Sequence, residues 1–255
     1  MGNEEKKVYS FDKLQMYFGE DYKVVDGIVI SQPTIGDIMT FGEDKFYSVL
    51  NPFIVNPTSM RVMLWQQGID WTKISDFELF YQLILQFKPT PNETHLIFKD
   101  LDFSKFNPYK RQNEVDGVLV EDAVLFNEEQ NVLIDEDIYT HMSTYLRTMF
   151  NIFPKVEKAR DKTTKQWMIE EDISNNQNKQ PFESNLLAMI SFCLNHPGFK
   201  YKKNELKDLG IVEFNDSVQR LLVYESTSSL MKGIYSGFVD TSKIDKKEFD
   251  FMRKL

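Results

Sequence analysis

Three histidines, one cysteine and four acidic clusters are the side chains of this 255-residue chain whose types could support chemistry. His95, His141 and His196 stand far apart. A zinc site would need all three, because no C-x-x-C or H-E-x-x-H is present. Cys193 sits in the apolar run Leu186-Leu187-Ala188-Met189-Ile190-Ser191-Phe192-Cys193-Leu194 and reads as a small core residue. His196 is its nearest base in sequence, but no third group marks an oriented nucleophile pair. Acidic residues cluster at Asp100/Asp102, Glu121/Asp122, Asp135-Glu136-Asp137 and Glu170-Glu171-Asp172. A metal-dependent hydrolase or a glycosidase would need such carboxylates brought into one cleft. The other reading of each cluster is a solvated turn or a helix N-terminus, where negative charge complements the helix dipole. Gly36 and Gly42 lack the lysine and hydroxyl of a phosphate-binding loop, and G-x-S-x-G is absent. No catalytic residue, cofactor or metal is expected, and the chain reads as non-enzymatic.

Composition narrows the partners. With 30 basic and 39 acidic side chains the net charge is −9, which disfavours nonspecific binding to nucleic acid or to an anionic membrane. One stretch runs against that balance: Phe199-Lys200-Tyr201-Lys202-Lys203, with Lys207 beyond it. It reads as a solvated helix start or a protein contact rather than as a DNA-contacting element, the helix-turn-helix likeness being loose, and nucleic acid is not an expected partner. The single cysteine cannot form an intramolecular disulfide and fits a reducing compartment. No apolar segment follows Met1-Gly2-Asn3-Glu4-Glu5-Lys6-Lys7, so no signal peptide is expected. No apolar run is long enough to cross a membrane. The expected location is cytoplasmic. The 21 Phe and 11 Tyr suit a core or an interface.

The elements that must hold these residues are mostly helical. Tyr22-Lys-Val-Val-Asp-Gly-Ile-Val-Ile30 predicts a hairpin turning at Asp26-Gly27. Thr34 and Asp37 start a helix carrying Ile38, Phe41, Phe46, Val49 and Leu50, weakened by Gly42. Asn56-Pro57 starts the next, which Gly68 stops. Ser75-Asp76-Phe77-Glu78 is a capping box for a helix with Phe77, Phe80, Leu83, Ile84 and Phe87 on one face, ended by Pro89 and Pro91. His95–Phe98, Val115–Val120, Ala123–Phe126 and Val132–Ile134 are β-prone runs separated by turn formers, including Asn127–Asn131. They predict a small antiparallel sheet over about 95–134, which the N-terminal hairpin could join. Ile138, Met142, Tyr145, Leu146, Met149, Phe150 and Phe153 form the clearest helical stripe, closed by Pro154. Residues 155–180 read as an exposed helix running into a polar linker. Phe182–Leu194 is an apolar-faced helix, residues 203–209 a short one, and Asn215 caps a long one to about Lys232. The fold class is therefore α+β and predominantly helical. The spans are 1–90, 91–135 and 136–255, separate or joined in one compact domain.

The most distinctive text lies near the C-terminus: Asp216-Ser217-Val218-Gln219-Arg220-Leu221, then Ser229-Leu230-Met231-Lys232-Gly233-Ile234-Tyr235-Ser236-Gly237-Phe238-Val239-Asp240, then Lys243-Ile244-Asp245. It resembles the ending of tail morphogenesis proteins, often tail assembly chaperones, from long-tailed phages and prophages of Gram-positive bacteria. A vaguer echo covers Pro33–Leu85. The β-rich segment 95–134 departs from small helical chaperones, and no catalytic residues come with the likeness. The resemblance implies a non-enzymatic phage assembly protein in the host cytoplasm, with phage tail or virion proteins as partners and self-association open to it. The alternatives are a structural virion component, such as a connector or baseplate part, and a metal-dependent hydrolase. The expected partner surface is residues 215–255. There Val218, Leu221, Leu222 and Leu230 face the core, Ser226–Ser229 admit a close neighbour, and Tyr235 and Phe238 are anchors, with Ser228 and Ser229 beside them.

Overall fold

Tyr22–Val25 (β1) and Ile28–Ile30 (β2) pair as the hairpin that Asp26-Gly27 predicts. The computed structural model describes residues 9–115, 118–177, 182–237, 242 and 244–254. Gly27 has φ +85, and a Cβ there would lie 2.5 Å from Val132 Cγ2. Glycine is therefore required both for its backbone conformation and for the close approach to Val132. Before the hairpin lies a short helix, α1 (Lys13–Tyr17), capped by Asp12.

The hairpin does not join the larger sheet. It is a two-stranded sheet of its own, and the second sheet has the order β3 (Asn107–Val115), β4 (Val118–Asn127), β5 (Val132–Ile134), all antiparallel. Residues Asp116-Gly117, where the sequence predicts the β3–β4 turn, lie outside the described residues. The sheet begins at Asn107, twelve residues after His95. His95–Phe98 is instead the end of a helix. Thr90 and Glu93 form a capping box, Pro91 occupies the first helical position, and Ile97 and Phe98 are buried. Caps and burial here outweigh the β propensity of a four-residue apolar run. Pro91 thus opens a helix as well as following the end of another.

The N-terminal helices are α2 (Ile35–Phe41), α3 (Glu43–Ile54), α4 (Arg61–Gln66), α5 (Asp76–Phe87) and α6 (Pro91–Phe98). Gly42, at φ +96, splits the first predicted helix in two. Asn56-Pro57 opens a turn rather than a helix: Asn56 Oδ1 accepts from the Ser59 N–H at 2.9 Å, and α4 starts only at Arg61. The Ser75 capping box forms as expected, but Phe87 is exposed.

After the sheet, α7 (Glu136–Phe150) buries Met142, Tyr145, Leu146, Met149 and Phe150. It ends at Asn151, which takes the left-handed conformation at φ 53, so Phe153 lies past the helix and is exposed. Arg147 on its last turn donates to the Ile54 and Val55 carbonyls, both at 2.8 Å, and pairs with Asp76 at 3.0 Å. This satisfies carbonyls that the end of α3 leaves open.

The chain continues through α8 (Lys162–Gln177), α9 (Asn185–Asn195), a 3-10 turn at Glu205–Asp208 and α10 (Ile211–Tyr235). α8 is not a free-standing exposed helix. Its Ile169 is buried with Val55, Leu64, Trp71, Leu79 and Leu83 in a second cluster. The end of the polar run, Asn178-Lys179-Gln180, lies outside the described residues. α10 starts at Ile211, four residues before Asn215, with Gly210 at its N-cap. Reciprocal bonds from Ile35 N–H to the Leu209 carbonyl (2.9 Å) and from Ile211 N–H to the Pro33 carbonyl (3.1 Å) position that start. These pairings are tertiary, and local sequence did not signal them. The main buried cluster draws on residues from Met16 to Leu221 and includes side chains from all three predicted spans.

Candidate partner-binding surface

At 1.5 Å per residue, the 25 residues of α10 are about 37 Å long. Ile211, Phe214, Val218 and Leu221 recur every three or four residues, so they share one side, and all are buried in the main cluster. α7 and α9 pack against the helix. Further along, the Gly198 N–H donates to Nδ1 of His196 at 2.9 Å. That leaves Nε2–H of His196 to donate to Glu225 at 2.9 Å. Among the described residues, none beyond Leu221 belongs to either cluster of the body.

The helix nevertheless continues. Ser228 and Tyr235 lie seven and fourteen residues past Leu221, and Ser229 eleven past Val218, so all three extend the body-facing side into a region the body does not cover. Tyr235 is 81% exposed, Ser229 is exposed and Ser228 half-buried. Phe238 lies outside the described residues. Leu222, expected to face the core, is 54% exposed. Leu230 is half-buried.

The opposite side of α10 is covered by the chain's own C-terminal segment. Thr227 is fully buried there, and its Oγ1 donates to the Glu248 carbonyl at 3.1 Å. Arg253 donates to that carbonyl (3.1 Å), to Thr227 Oγ1 (3.3 Å) and to Ser226 Oγ (3.2 Å), while Arg220 donates to the Arg253 carbonyl at 2.8 Å. Asp245 caps the 3-10 turn Lys246–Phe249 that carries Glu248. Phe251 stacks at a tilt against Tyr224, with ring centroids 5.9 Å apart. The small side chains at 226 and 227 thus admit a close backbone, and that backbone is intramolecular. The resulting arm exposes Leu222, Tyr224, Tyr235, Phe251 and Met252. At its root a cleft of about 390 Å³ opens between α3, α7, α9 and α10, with Tyr47, Phe150, Phe182, Met189 and Val218 in its wall.

No family model, curated protein or solved structure matches this chain.

The residues with chemical potential are dispersed over the fold. His141 Nε2 lies 2.6 Å from the Tyr22 hydroxyl, His95 Nδ1 lies 3.2 Å from the Asn92 carbonyl, and His196 faces Glu225. Cys193 is fully buried, and burial pushes its thiol pKa up. Asp102 caps a 3-10 turn through Ser104, and Asp135 caps α7 through the Ile138 N–H at 2.9 Å. Arg111 reaches Asp135 at 3.0 Å and Asp122 at 3.6 Å, and Glu121 pairs with Lys110 at 3.1 Å. Asp172 holds Arg61 at 2.6 and 2.7 Å. Among the described residues, no three His, Cys, Asp or Glu side chains converge with metal-ligating geometry, and no helix is long and apolar enough to cross a membrane. In the basic stretch, Tyr201 bonds to Glu213, which pushes its phenol up to about 12.

Two features escaped the sequence reading. One is the Arg61–Asp172–Glu157 group, which ties α4 to α8 and to the segment before it. The other is the Arg253 clamp on Ser226 and Thr227. Both pair residues far apart in the chain, and neither has a local spacing signal.

Proposed function

We propose that this chain is a non-enzymatic phage assembly protein, specifically a tail assembly chaperone. In this reading it binds another tail protein through its C-terminal arm in the host cytoplasm. The observation that carries the reading is a coincidence of position. The text resembling tail morphogenesis proteins, which begins at Asp216 and runs on to Asp245, takes in the part of α10 that outruns the body and presents Tyr235 to solvent. A chaperone must keep its own fold while offering apolar anchors to another chain, and aromatic anchors dominate such interfaces.

The test is Tyr235→Ala combined with Phe238→Ala. The expected result is an unchanged melting temperature, with loss of tail-protein capture and of complementation in phage assembly. A variant that melts several degrees lower and still captures its partner would place the rings in the core and sink the anchor role. Mass spectrometry of purified virions tests the chaperone assignment itself: a chaperone is absent from finished particles. Recovery of the chain there at stoichiometric levels would make it a structural virion component.

A further inference from the structure

Charge along the chain is uneven in a way that points to an occupant for the arm. Residues 215–255 hold seven basic and six acidic side chains, and the other 214 residues hold 23 and 33. The arm is therefore +1 on a body of −10. Its cations are also available: Lys232, Lys246, Lys247 and Lys254 are exposed and form no ion pair with any described residue. Tyr235, Phe251 and Met252 of the same segment are also exposed. On the body-facing side of α10 past Glu225, which His196 contacts, Ser229 and Lys232 are exposed, so a second surface can reach them. We propose that this arm docks on the acidic body of a second copy of the chain.

The charges also select the geometry. Two nearly neutral arms gain little from each other, whereas the arm's lysines against a body of −10 pair opposite charges. An arm–body contact closes reciprocally in a two-fold dimer, or runs head to tail into a ring or filament. The contact lies at the surface and depends on exposed lysines, so it weakens as salt shortens the Debye length from about 10 Å at 0.1 M to about 3 Å at 1 M. The four acidic residues among the arm's cations after Ser226, and the body's −10, argue against duplex DNA as the occupant.

The test uses the full chain. Sedimentation equilibrium in about 0.05 M salt is expected to show species heavier than 30.1 kDa that dissociate in about 1 M salt. Lys246→Glu with Lys247→Glu alters only exposed positions and is expected to leave the melting temperature unchanged while abolishing association. Carbodiimide coupling of a mixture of normal and 15N-labelled chains is expected to join Lys246 or Lys247 of one isotope to body carboxylates of the other. A chain monomeric at all concentrations overturns the proposal, as does association indifferent to salt and to the double substitution. Cross-links only between arms also overturn it. So does duplex DNA binding that the double substitution removes, if no intermolecular cross-link is found. The inference rests on the arm being a contact surface. Capture of a tail protein by a strictly monomeric chain would overturn it and leave the proposed function standing.

Discussion

Arg61 shows how much one side chain can organise in this protein. Its guanidinium is largely buried, bonds Asp172 through two nitrogens and also pairs with Glu157, and these partners hold its pKa above the ordinary value. Removing one partner of such a group leaves charge without compensation. Asp172 and Glu157 keep some solvent contact, at 31% and 44% side-chain exposure, which moderates the loss. Arg61→Ala is expected to lower stability by about 2 kcal/mol, measured by urea unfolding. A change below about 0.5 kcal/mol would mean that solvent already screens the group. His141 makes the other residue-scale prediction. It stacks on Tyr9 at 4.4 Å, bonds Tyr22 and lies near Phe11, with Asp137 the nearby acid. Burial lowers its pKa below 6.5, outweighing the opposing pull of Asp137. The unfolded chain therefore binds this proton more readily than the folded one. Stability is complete above about pH 6.5 and is lost as pH falls through the folded-state pKa. His141→Gln is expected to flatten the decline in melting temperature between about pH 7.5 and 5. An identical decline in both proteins would assign it to other groups.

At the scale of elements, turns and caps decide where segments start and stop. Gly27 and Gly68 both have positive φ, +85 and +75, but their surroundings differ. A Cβ at Gly68 meets nothing within 4 Å, whereas at Gly27 it strikes Val132. Gly68→Ala should therefore cost only the backbone strain, about 1 kcal/mol. Gly27→Ala adds a clash with a stiff β-branched side chain, for about 3 kcal/mol in all. Val132→Ala in the Gly27→Ala background should return part of that loss, measurable as a positive coupling in a double-mutant cycle. Equal costs at the two glycines would refute the close packing of β2's turn on β5. Thr90 decides a whole element: its capping box with Glu93 makes 90–98 helical despite a β-prone text, so Thr90→Ala should cost about 1 kcal/mol.

The whole molecule divides into a body with two buried clusters and an arm that, among the described residues, adds to neither beyond Leu221. The C-terminal segment has no buried residue in its 3-10 turn and is held chiefly by the hydrogen bonds of Thr227, Arg253 and Arg220. Deleting residues 244–255 should accordingly lower the melting temperature by only about 2–4 °C, with one transition preserved. A fall of more than about 10 °C would make the arm part of the cooperative core. The same deletion uncovers Thr227 and removes Lys246 and Lys247, so it also bears on arm-mediated contacts.

The α+β class, the hairpin at Asp26-Gly27, the Ser75 capping box and the stripe on α7 were all legible in the sequence. Each rests on interactions within a few residues, where spacing and turn chemistry suffice. The small residues at 226 and 227 predict a close neighbour, and only the tertiary structure makes that neighbour the chain's own C-terminal segment. Tertiary structure alone decided the rest. Helix at His95–Phe98 won because Ile97 and Phe98 had a core to enter. The start of α10 moved to Ile211 because the Pro33–Ile35 backbone pairs with Leu209 and Ile211. The two sheets stayed separate. Leu222 turned to solvent while Leu221 beside it is in the core, and no helical period records where a neighbouring surface stops. What lies against Thr227 was equally hidden: a polar clamp formed by residues 21 to 26 positions away leaves no pattern in local text, because it depends only on where the chain returns.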